Sequence, residues 1–506
     1  MTQVQEHYHA LTDGDYNVAV GKSALGTITG SNNNTAVGHN ASVANTTGDN
    51  NTAVGKDALA TNTVGDRNVA IGAYSLATNN PSTNEDSYNV AVGYAAGNAI
   101  TTGKQNTAVG GLALDALTTG DRNVALGFAA ISTATTGSDN TAVGNYALIE
   151  NTTGDNNTAV GSYALDANTT GAQNTALGTL ALGASTTGDR NVAVGYATLD
   201  ANTTASDNVA IGTAALGVNT TGDRNVAIGN YSLDANTVGD RNVAVGYGAL
   251  TAYNPSTNED SYNTAIGYSA LYENTTGNFN TAVGGLAMDA NTTGSGNVAV
   301  GEDSLGGNTT GDDNVAIGQN ALKANTTGQR LTAVGQGALA ANTTADSNVA
   351  VGRASLGANT TGHDNTAVGR ASLGANTTAS DNTAVGAFAL DANTTGNSNT
   401  AVGKSALTTA TTANDNTAVG FYGLGALTTG AGNVAVGKDA GQLITTGNYN
   451  VAIGLDALES VTTGADNVAV GYYALQANTG AGNTAVGRSA MAANTSGETN
   501  AAFGYQ

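Results

Sequence analysis

The 506-residue sequence contains no cysteine and no tryptophan, only two prolines, and 5% aromatic residues. Without cysteine the chain can form no disulfide and no thiolate metal site. The scarcity of large apolar side chains argues against thick cores filled with aromatic residues and leucine. No apolar run approaches the roughly 18 residues of a membrane-spanning helix. Residues 1–9 also lack the basic start and apolar stretch that are typical of a signal peptide.

Positive charge is scarce as well. The chain has 15 lysines and arginines against 38 aspartates and glutamates, which gives a net charge of −23. Binding to nucleic acid or to an anionic membrane needs lysine and arginine to neutralise phosphate groups. We therefore expect neither nucleic acid nor membrane insertion among the interactions of this chain.

What the sequence has in abundance is repetition. The motif Asn-(Thr/Val)-Ala-(Val/Ile)-Gly begins at Asn17 and recurs about 29 times, nearly always at every seventeenth residue, as at Asn34 and Asn51. We number each unit from the motif residue Asn as positions 1 to 17. Position 3 is always alanine, position 5 is always glycine, and position 1 is asparagine except at Leu331.

Two intervals between motifs are longer than the others by four residues. They run from Asn68 to Asn89 and from Asn242 to Asn263, and both carry the insert Asn-Pro-Ser-Thr-Asn-Glu-Asp-Ser-Tyr. A block duplication explains the two identical copies.

A seventeen-residue unit without a helical period is too short for a helical hairpin. Positions 2 to 4 and the Ala-Leu pair at positions 8 and 9 predict two short strands. Gly at position 5 and Asn-Thr-Thr-Gly at positions 12 to 15 predict corners, because Gly and Asn tolerate positive φ. The sequence therefore predicts an all-β fold, a parallel β-solenoid (β-roll) of about 29 coils, in which each unit forms one coil.

The expected organisation has three parts. Residues 1–16 would form an N-terminal half-coil, and residues 500–506 a C-terminal half-coil. Residues 17–499 would form continuous repeats, with four-residue insertions near residues 78–88 and 252–262.

Stacking places identical residues above one another, so the motif asparagines should form a ladder of side-chain amides. In the strand, positions 2 and 4 face one side and the alanine at position 3 faces the other. An outward row of alanine would be a continuous apolar strip, which favours lateral association of protomers around a shared axis. The alternative is that alanine, being small, lines a thin interior.

The two termini carry complementary parts of a unit. Residues 9–16 match the second half of a repeat, and residues 500–506 match the first half. Placed tail to head, they would complete one coil, which predicts end-to-end polymerisation through open strand edges. A partner protein on one open edge, or a fragment with harmless frayed ends, are the alternatives. The expected assembly interface consists of His9, Ala10, Leu11, Tyr16, Asn500, Phe503 and Tyr505.

Candidate chemistry is sparse. No nucleophile, base and acid can be assembled, so we expect neither enzymatic activity nor a cofactor. His7 and His9 lie on one side of an extended segment and are weak candidates for a metal site, with a solvated terminus as the favoured alternative. Aspartates next to the turn glycine predict a solvated edge, and calcium binding along it is the alternative.

The two inserts contain both prolines and are expected to protrude as loops. Loops on a rigid scaffold often carry binding residues, although these could equally be tolerated insertions copied with the block. The candidates for lateral contact or ligand binding are Pro81, Glu85, Asp86 and Tyr88 with their copies Pro255, Glu259, Asp260 and Tyr262.

Copies such as Asn68-Val-Ala-Ile-Gly72 and Asn450-Val-Ala-Ile-Gly454 resemble the head repeats of YadA-like trimeric autotransporter adhesins. Repeats of the form Thr-Ala-Val-Gly…Ala-Leu…Asn-Thr-Thr-Gly are also similar to segments of phage tail fibres. The resemblance covers nearly the entire chain, although the unit here is longer than the usual adhesin head repeat. It implies a parallel β-roll that trimerises along its length.

Together these patterns predict a non-enzymatic structural fibre, a homo-oligomer that assembles end to end into an extracellular filament. The alternative is the shaft or adhesive region of a phage tail fibre or bacterial surface adhesin. In that case the partner would be a component of a cell surface or a virion.

Overall fold

The computed structural model describes residues 14–506, which divide into two compact units, residues up to Ser261 and residues Tyr262–Gln506. Each unit is a parallel β-solenoid with one coil for each sequence repeat, and the chain has about 29 coils. Every coil contributes one strand of three residues, and no helix occurs among residues 14–506.

The strands of the first unit are β1 Val18–Val20, β2 Thr35–Val37, β3 Thr52–Val54, β4 Val69–Ile71, β5 Val90–Val92, β6 Thr107–Val109, β7 Val124–Leu126, β8 Thr141–Val143, β9 Thr158–Val160, β10 Thr175–Leu177, β11 Val192–Val194, β12 Val209–Ile211, β13 Val226–Ile228 and β14 Val243–Val245. Those of the second unit are β15 Thr264–Ile266, β16 Thr281–Val283, β17 Val298–Val300, β18 Val315–Ile317, β19 Thr332–Val334, β20 Val349–Val351, β21 Thr366–Val368, β22 Thr383–Val385, β23 Thr400–Val402, β24 Thr417–Val419, β25 Val434–Val436, β26 Val451–Ile453, β27 Val468–Val470, β28 Thr484–Val486 and β29 Ala501–Phe503.

Within each unit, successive strands pair in parallel with like positions opposite one another. Between β21 and β22, for example, Thr366 pairs with Thr383 and Ala367 with Ala384. The first insert does not disturb this register, because Val69 of β4 pairs with Val90 of β5. The four extra residues are therefore accommodated outside the strand.

Alanine at position 3 faces the interior. Ala36, Ala193 and Ala367 are fully buried, whereas positions 2 and 4 of the same strands are only half-buried. The outward alanine strip is therefore wrong, and its alternative, a thin interior lined by alanine, is confirmed. The residues at positions 8 and 9, such as Ser372 and Leu373, are buried as well.

The second predicted strand, at positions 8 and 9, is also wrong. This segment is a run of turns, and Leu373 at position 9 has a left-handed backbone with φ 49°. Its N–H still donates to the carbonyl of Ala389 in the next coil at 3.0 Å. A left-handed residue other than glycine costs about 1–2 kcal/mol. Here that cost is offset because the turn buries the leucine side chain completely and satisfies its backbone.

Glycine at position 5 is required for two reasons. Its φ lies between 126° and 142° throughout the described coils, as the corner prediction supposed. The coils also approach closely here, since a Cβ on Gly369 would lie 2.5 Å from the carbonyl oxygen of Gly386. The sequence indicated the turn, but the close approach depends on the stacking of coils.

The predicted asparagine ladder at position 1 is confirmed. The backbone N–H of Asn382 donates to Oδ1 of Asn365 at 3.1 Å, and the N–H of Asn399 donates to Oδ1 of Asn382 at 2.9 Å. Nδ2 of Asn382 also donates to the carbonyl of Gly396 in its own coil at 2.9 Å. These side chains are fully buried. Each of these asparagines thus joins two coils and closes its own, which satisfies buried polar groups wherever asparagine stacks on asparagine.

A second asparagine ladder, at position 12, was missed by the sequence analysis. Nδ2 of Asn376 donates to Oδ1 of Asn359 at 2.8 Å and to the carbonyl of Ala379 at 3.0 Å. Position 12 lies in a corner, as predicted. The predicted reason, a positive φ at asparagine, is wrong, because the asparagines at this position do not have positive φ. They stabilise the corner by hydrogen bonds, and positive φ occurs at position 17 instead, as in Asp381.

Position 12 is divided into runs of asparagine and runs of apolar residues. Ile100, Leu117 and Ala134 occupy it in three successive coils, and asparagine returns at Asn151. At the end of one asparagine run, Oδ1 of Asn79, just before Ile100, is buried without a hydrogen bond. At the end of another, Oδ1 of Asn393, just before Ala410, accepts the N–H of Gly396 in its own coil at 3.1 Å.

Candidate interaction surfaces

The outer face of the strands in each unit is an exposed aliphatic surface, which we call the strand face and define as positions 2 and 4. At position 4 many side chains are more than a third exposed, for example Leu177 at 47% and Ile266 at 40%. Isolated exposed apolar residues are common, but a continuous row of them is typical of an interaction site. The other position 4 side chains that are more than a third exposed are Val20, Ile71, Val109, Leu126, Val143, Ile211, Ile228, Val300, Ile317, Val351, Val385, Val402, Val419, Val436, Ile453 and Phe503.

Position 17, which precedes the motif, and position 6, which follows it, border the strand face on opposite sides. In the first unit the position 17 border contains five arginines: Arg67, Arg122, Arg190, Arg224 and Arg241. The position 6 border is rich in exposed aromatic residues: Tyr94, Phe128, Tyr196 and Tyr247.

In the second unit the two borders have opposite charge, and the residues named here are exposed. The position 17 border holds Asp313, Asp364, Asp381, Asp415 and Asp466, with Arg330 as its one basic residue. The position 6 border holds Arg353, Arg370, Lys404, Lys438 and Arg488, with Glu302 as its one acidic residue.

Aromatic residues at positions 6 and 7 contact one another between coils. Phe128 and Tyr146 pack edge to face with ring centroids 5.5 Å apart, and Tyr146 stacks on Tyr163 at 5.2 Å. These clusters leave part of each ring accessible, since Phe128 is 45% exposed. In the first unit, positions 6 and 7 therefore add exposed aromatic rings beside the apolar strand face.

The aspartates beside the turn accept hydrogen bonds and form ion pairs between coils. At position 16 the carboxylate accepts a backbone N–H of the preceding coil, as Asp223 does from Ser206 at 2.7 Å. At position 17 arginine pairs with aspartate of the next coil, and Nε of Arg122 lies 2.6 Å from Oδ1 of Asp139. The hydrogen bond from Arg122 lowers the pKa of Asp139. Hydrogen bonding thus offsets the repulsion expected between stacked carboxylates.

Aspartates at position 10 are half-buried and spaced by glycine. In successive coils the position is occupied by Asp166, Gly183, Asp200, Gly217 and Asp234. A Cβ on Gly217 would lie 2.9 Å from Oδ1 of Asp234, so the glycine makes room for the carboxylate. Burial raises the pKa of Asp200 and Asp234.

The first insert lies against the solenoid, and its charged residues have partners in the preceding and the following coil. Asp86 forms an ion pair with Arg67, and Glu85 lies 2.8 Å from Nζ of Lys104. Tyr88 donates its hydroxyl hydrogen to Asp86 at 3.1 Å, and Pro81 is buried against Gly65. Residues 82–84 form the longest exposed run of the insert, so the protruding loop is smaller than expected.

The second insert repeats these contacts. Asp260 pairs with Arg241, Pro255 is buried, and the N–H of Asp240 donates to the carbonyl of Glu259 at 3.1 Å. In the second unit, the ring of Tyr262 stacks on Phe279 with centroids 5.9 Å apart. The insert residues singled out from the sequence therefore hold the insert in place.

Four residues of the expected assembly interface are described, and His9, Ala10 and Leu11 lie outside the described residues. Tyr16 is 85% exposed, Phe503 is 76% exposed and Tyr505 is 69% exposed. Asn500 continues the ladder of position 1, with its N–H donating to Oδ1 of Asn483 at 3.0 Å. Strand β29 pairs with β28 on one side, and no strand within the second unit pairs with its other side.

The metal candidates His7 and His9 also lie outside the described residues. Among residues 14–506, no group of three or more histidines and acidic residues could hold a metal ion. The Asn-Thr-Thr sequences that match glycosylation acceptors are corner residues, since the side chains of Asn45 and Asn376 are buried and hydrogen-bonded. Their occurrence is therefore explained by the position 12 ladder.

The chain matches no protein-family model, and no curated protein shows significant similarity to it. In the described part of the chain, no helix is long and apolar enough to cross a membrane.

Proposed function

We propose that this chain is a non-enzymatic structural fibre protein that self-associates and, in its preferred form, builds an extracellular filament. The observation that carries the proposal is the strand face, a row of half-exposed valine, isoleucine and leucine that runs through the coils of each unit. Parallel sheets are usually covered on both faces. Lateral packing of protomers would cover this one, which supports a homo-oligomer around a shared axis; three chains is the number that the adhesin resemblance implies.

The regular coils support a mechanical role. Buried asparagine ladders and parallel strand pairs join each coil to the next within a unit. Such contacts are local and repeat at every level, so each coil is stabilised by its neighbours. This arrangement builds length with little sequence complexity, as a fibre requires.

End-to-end extension is the second part of the proposal. The outer edge of β29, with Phe503 largely exposed, offers backbone groups to which another strand can add. Changing Phe503→Asp, or removing residues 1–16, should abolish elongation of the chain and leave the coils folded. The readout is electron microscopy together with circular dichroism.

The proposal as a whole is tested by electron microscopy and analytical ultracentrifugation at low and high concentration. Oligomers at low concentration that lengthen into filaments at high concentration are the expected result. A monomer at every concentration would contradict both parts. Discrete oligomers of fixed length would contradict extension and favour the second candidate.

That second candidate is the shaft or adhesive region of a tail fibre or surface adhesin, with a cell-surface or virion component as partner. It is supported by the resemblance of the repeats and by the exposed aromatic side chains at position 6, such as Tyr94 and Tyr196. Tyrosine is enriched at the centres of protein interfaces.

A further inference from the structure

Tyrosine is the side chain of this protein that gives up a single electron most readily. Tryptophan and cysteine, which would compete with it for a one-electron oxidant, are absent from the sequence. Of the 19 tyrosines, 12 lie at positions 6 and 7, on the corner beside the strand face. One-electron oxidation of the chain is therefore directed to this corner.

Two of these tyrosines, Tyr146 and Tyr163, lie one above the other in successive coils. Both occupy position 7, and their backbones are alike, with φ 60° and 55°. Their ring centroids are 5.2 Å apart, and the ring planes are inclined by only 20°. Tyr163 is 42% exposed and Tyr146 is half-buried, so an oxidant can reach the pair from solvent.

This pair differs from other close pairs of tyrosines. Tyr74 and Tyr94 meet edge to face, with ring centroids 6.0 Å apart and planes inclined by 85°. Tyr472 and Tyr473 are closer, with centroids 3.9 Å apart, but they are neighbours in the sequence. A bond between those two rings would join no coil to another.

We infer that Tyr146 and Tyr163 form a site of oxidative cross-linking, at which a dityrosine bond ties one coil of the solenoid to the next. The oxidant is hydrogen peroxide, used through a haem peroxidase. Each phenol gives up one electron and one proton and becomes a phenoxyl radical. The two radicals couple by a C–C bond between the ring carbons next to the oxygens.

The remaining steps balance the reaction. The hydrogens on the two coupled carbons move to the oxygens, which restores both phenols. The two electrons and two protons that the phenols gave up reduce one hydrogen peroxide to two water molecules. No other reactant is needed.

The stacked rings are close to the coupled geometry. Coupling needs a small approach of the two rings and a twist about the new bond. Rotation about the Cβ–Cγ bond of tyrosine is soft, so the side chains supply most of this movement. Because both tyrosines occupy the same position in paired coils, the backbone already holds them at adjacent levels.

The cross-link would take the place that a disulfide has in other proteins. It closes a loop of 17 residues between successive coils. A covalent loop restricts the unfolded chain more than the folded one, which favours the folded coils. The bond therefore resists separation of β8 from β9, a contact that is otherwise non-covalent.

Mass spectrometry after oxidation of the full chain with a haem peroxidase and hydrogen peroxide tests the inference. Trypsin cuts after Arg122 and Arg190, on either side of the pair, and a protease specific for glutamate cuts between the tyrosines at Glu150. The expected product is residues 123–150 joined to residues 151–190, with the loss of two hydrogen atoms.

Trypsin alone shows whether the bond lies within one chain. A single peptide of residues 123–190, lighter by two hydrogen atoms, is the expected result. Two copies of this peptide joined to each other, or a peptide of unchanged mass, would overturn the inference. The blue fluorescence of dityrosine follows the extent of reaction in the same samples.

Tyr146→Phe is the matched control, because it keeps the ring and removes the phenol. Peptide 123–190 of this variant should keep its mass after oxidation. Hydrogen exchange at the β8 and β9 amides should be slower in the oxidised original chain, by roughly tenfold. Equal exchange rates would show that the bond does not tie the coils together.

A further variant tests whether stacking is what selects the pair. Tyr262 stacks on Phe279 with centroids 5.9 Å apart and planes inclined by 19°, but phenylalanine cannot couple. Phe279→Tyr should therefore create a new link between residues 260–273 and residues 274–302, which are fragments released by cleavage after glutamate. Residues 274–302 of the original chain contain no tyrosine. Absence of the link in this variant would contradict the stacking argument.

Tyr196 serves as an internal reference for exposure without stacking. Its ring is 58% exposed, and no aromatic residue occupies position 6 or 7 of the coil on either side. It should form no link within the chain under conditions that couple Tyr146 to Tyr163. A link from Tyr196 to another part of the same chain, in equal yield, would show that exposure alone governs coupling and would overturn the inference.

Discussion

Leu331 donates its backbone N–H to Oδ1 of Asn314 at 3.0 Å, but its own side chain offers no oxygen to the N–H of Asn348 in the next coil. The position 1 ladder resumes one level later, where Asn365 donates to Oδ1 of Asn348 at 2.9 Å. Leu331 is thus a single gap in the position 1 row of the second unit. Its burial is complete, so the gap is filled by apolar contact instead of hydrogen bonds.

Replacing Leu331→Asn should close this gap. The new amide can accept the N–H of Asn348 and donate to the carbonyl of Ala345, as Asn191 does to Ala205 at 2.8 Å. We expect hydrogen exchange of the Asn348 amide to slow several-fold, because a hydrogen bond contributes about 1 kcal/mol. The matched control Asn365→Leu should create the same gap and speed exchange of the Asn382 amide. Unchanged exchange in both variants would contradict the role of the ladder.

Glycine at position 5 should tolerate no side chain. In Gly369→Ala the new Cβ would meet the carbonyl of Gly386 and would occupy a backbone with φ 135°. We expect a loss of several kcal/mol of unfolding free energy, measured by chemical denaturation. Gly285→Ala is the control, since nothing lies within 4 Å of its added Cβ. That variant should match or slightly exceed the original stability, and equal losses in both would contradict the packing argument.

The position 10 aspartates should weaken the fold at neutral pH. Burial raises the pKa of Asp234 above its ordinary value of 3.8, so its contribution to stability is present below about pH 3.8 and is lost as pH rises through the folded pKa. Asp234→Asn should therefore raise the melting temperature at pH 7 and leave it unchanged at pH 3.

Asp139→Asn is the matched control with the opposite sign, because Arg122 lowers the pKa of Asp139. Its carboxylate stabilises the fold above pH 3.8, and this contribution is lost as pH falls through the folded pKa. The substitution should lower stability at pH 7, by about 1 kcal/mol or less for such an exposed pair. If both substitutions change stability at pH 7 in the same direction, burial does not determine the effect of Asp234 on stability.

Tyr253 should make the first unit sensitive to alkali. It replaces asparagine at position 12 and is fully buried, and burial raises its pKa from 10 to about 12. Its neutral form is favoured in the folded state, so this contribution is complete below pH 10 and is lost as pH rises from 10 through 12. Tyr253→Phe should reduce the loss of stability over that window. Tyr196→Phe, which alters a 58% exposed ring, should leave it unchanged.

The solenoid, its repeat length and the position 1 ladder were predictable, because a short, constant period with invariant Gly and Ala leaves few other folds. The orientation of the strand was not. Alanine at position 3 and valine at position 4 are both apolar, so the pattern alone does not say which faces inward. The left-handed Leu373 was also beyond prediction, since local propensity opposes it and only contacts between coils offset the cost.

For the interaction surfaces, the insert residues were the obvious candidates by composition, yet Asp86 and Glu85 are held by Arg67 and Lys104 of their own chain. The strand face carries no unusual residue and is visible only once alanine is known to point inward. Its charged borders could have been found by tabulating positions 6 and 17 unit by unit. These aspartates and arginines lie next to the turn glycine, and for that reason they were interpreted as turn residues.

The segregation of position 12 has a consequence for how such a chain can change in length. From Asn274 to Asn393 every coil of the second unit carries asparagine there, so one coil can be removed or repeated without creating a mixed boundary. An asparagine coil inserted inside the apolar run from Ala410 to Val461 would instead create two new boundaries between asparagine and apolar residues. Whole repeats can therefore be added or removed inside an asparagine run without changing the kind of contact at position 12.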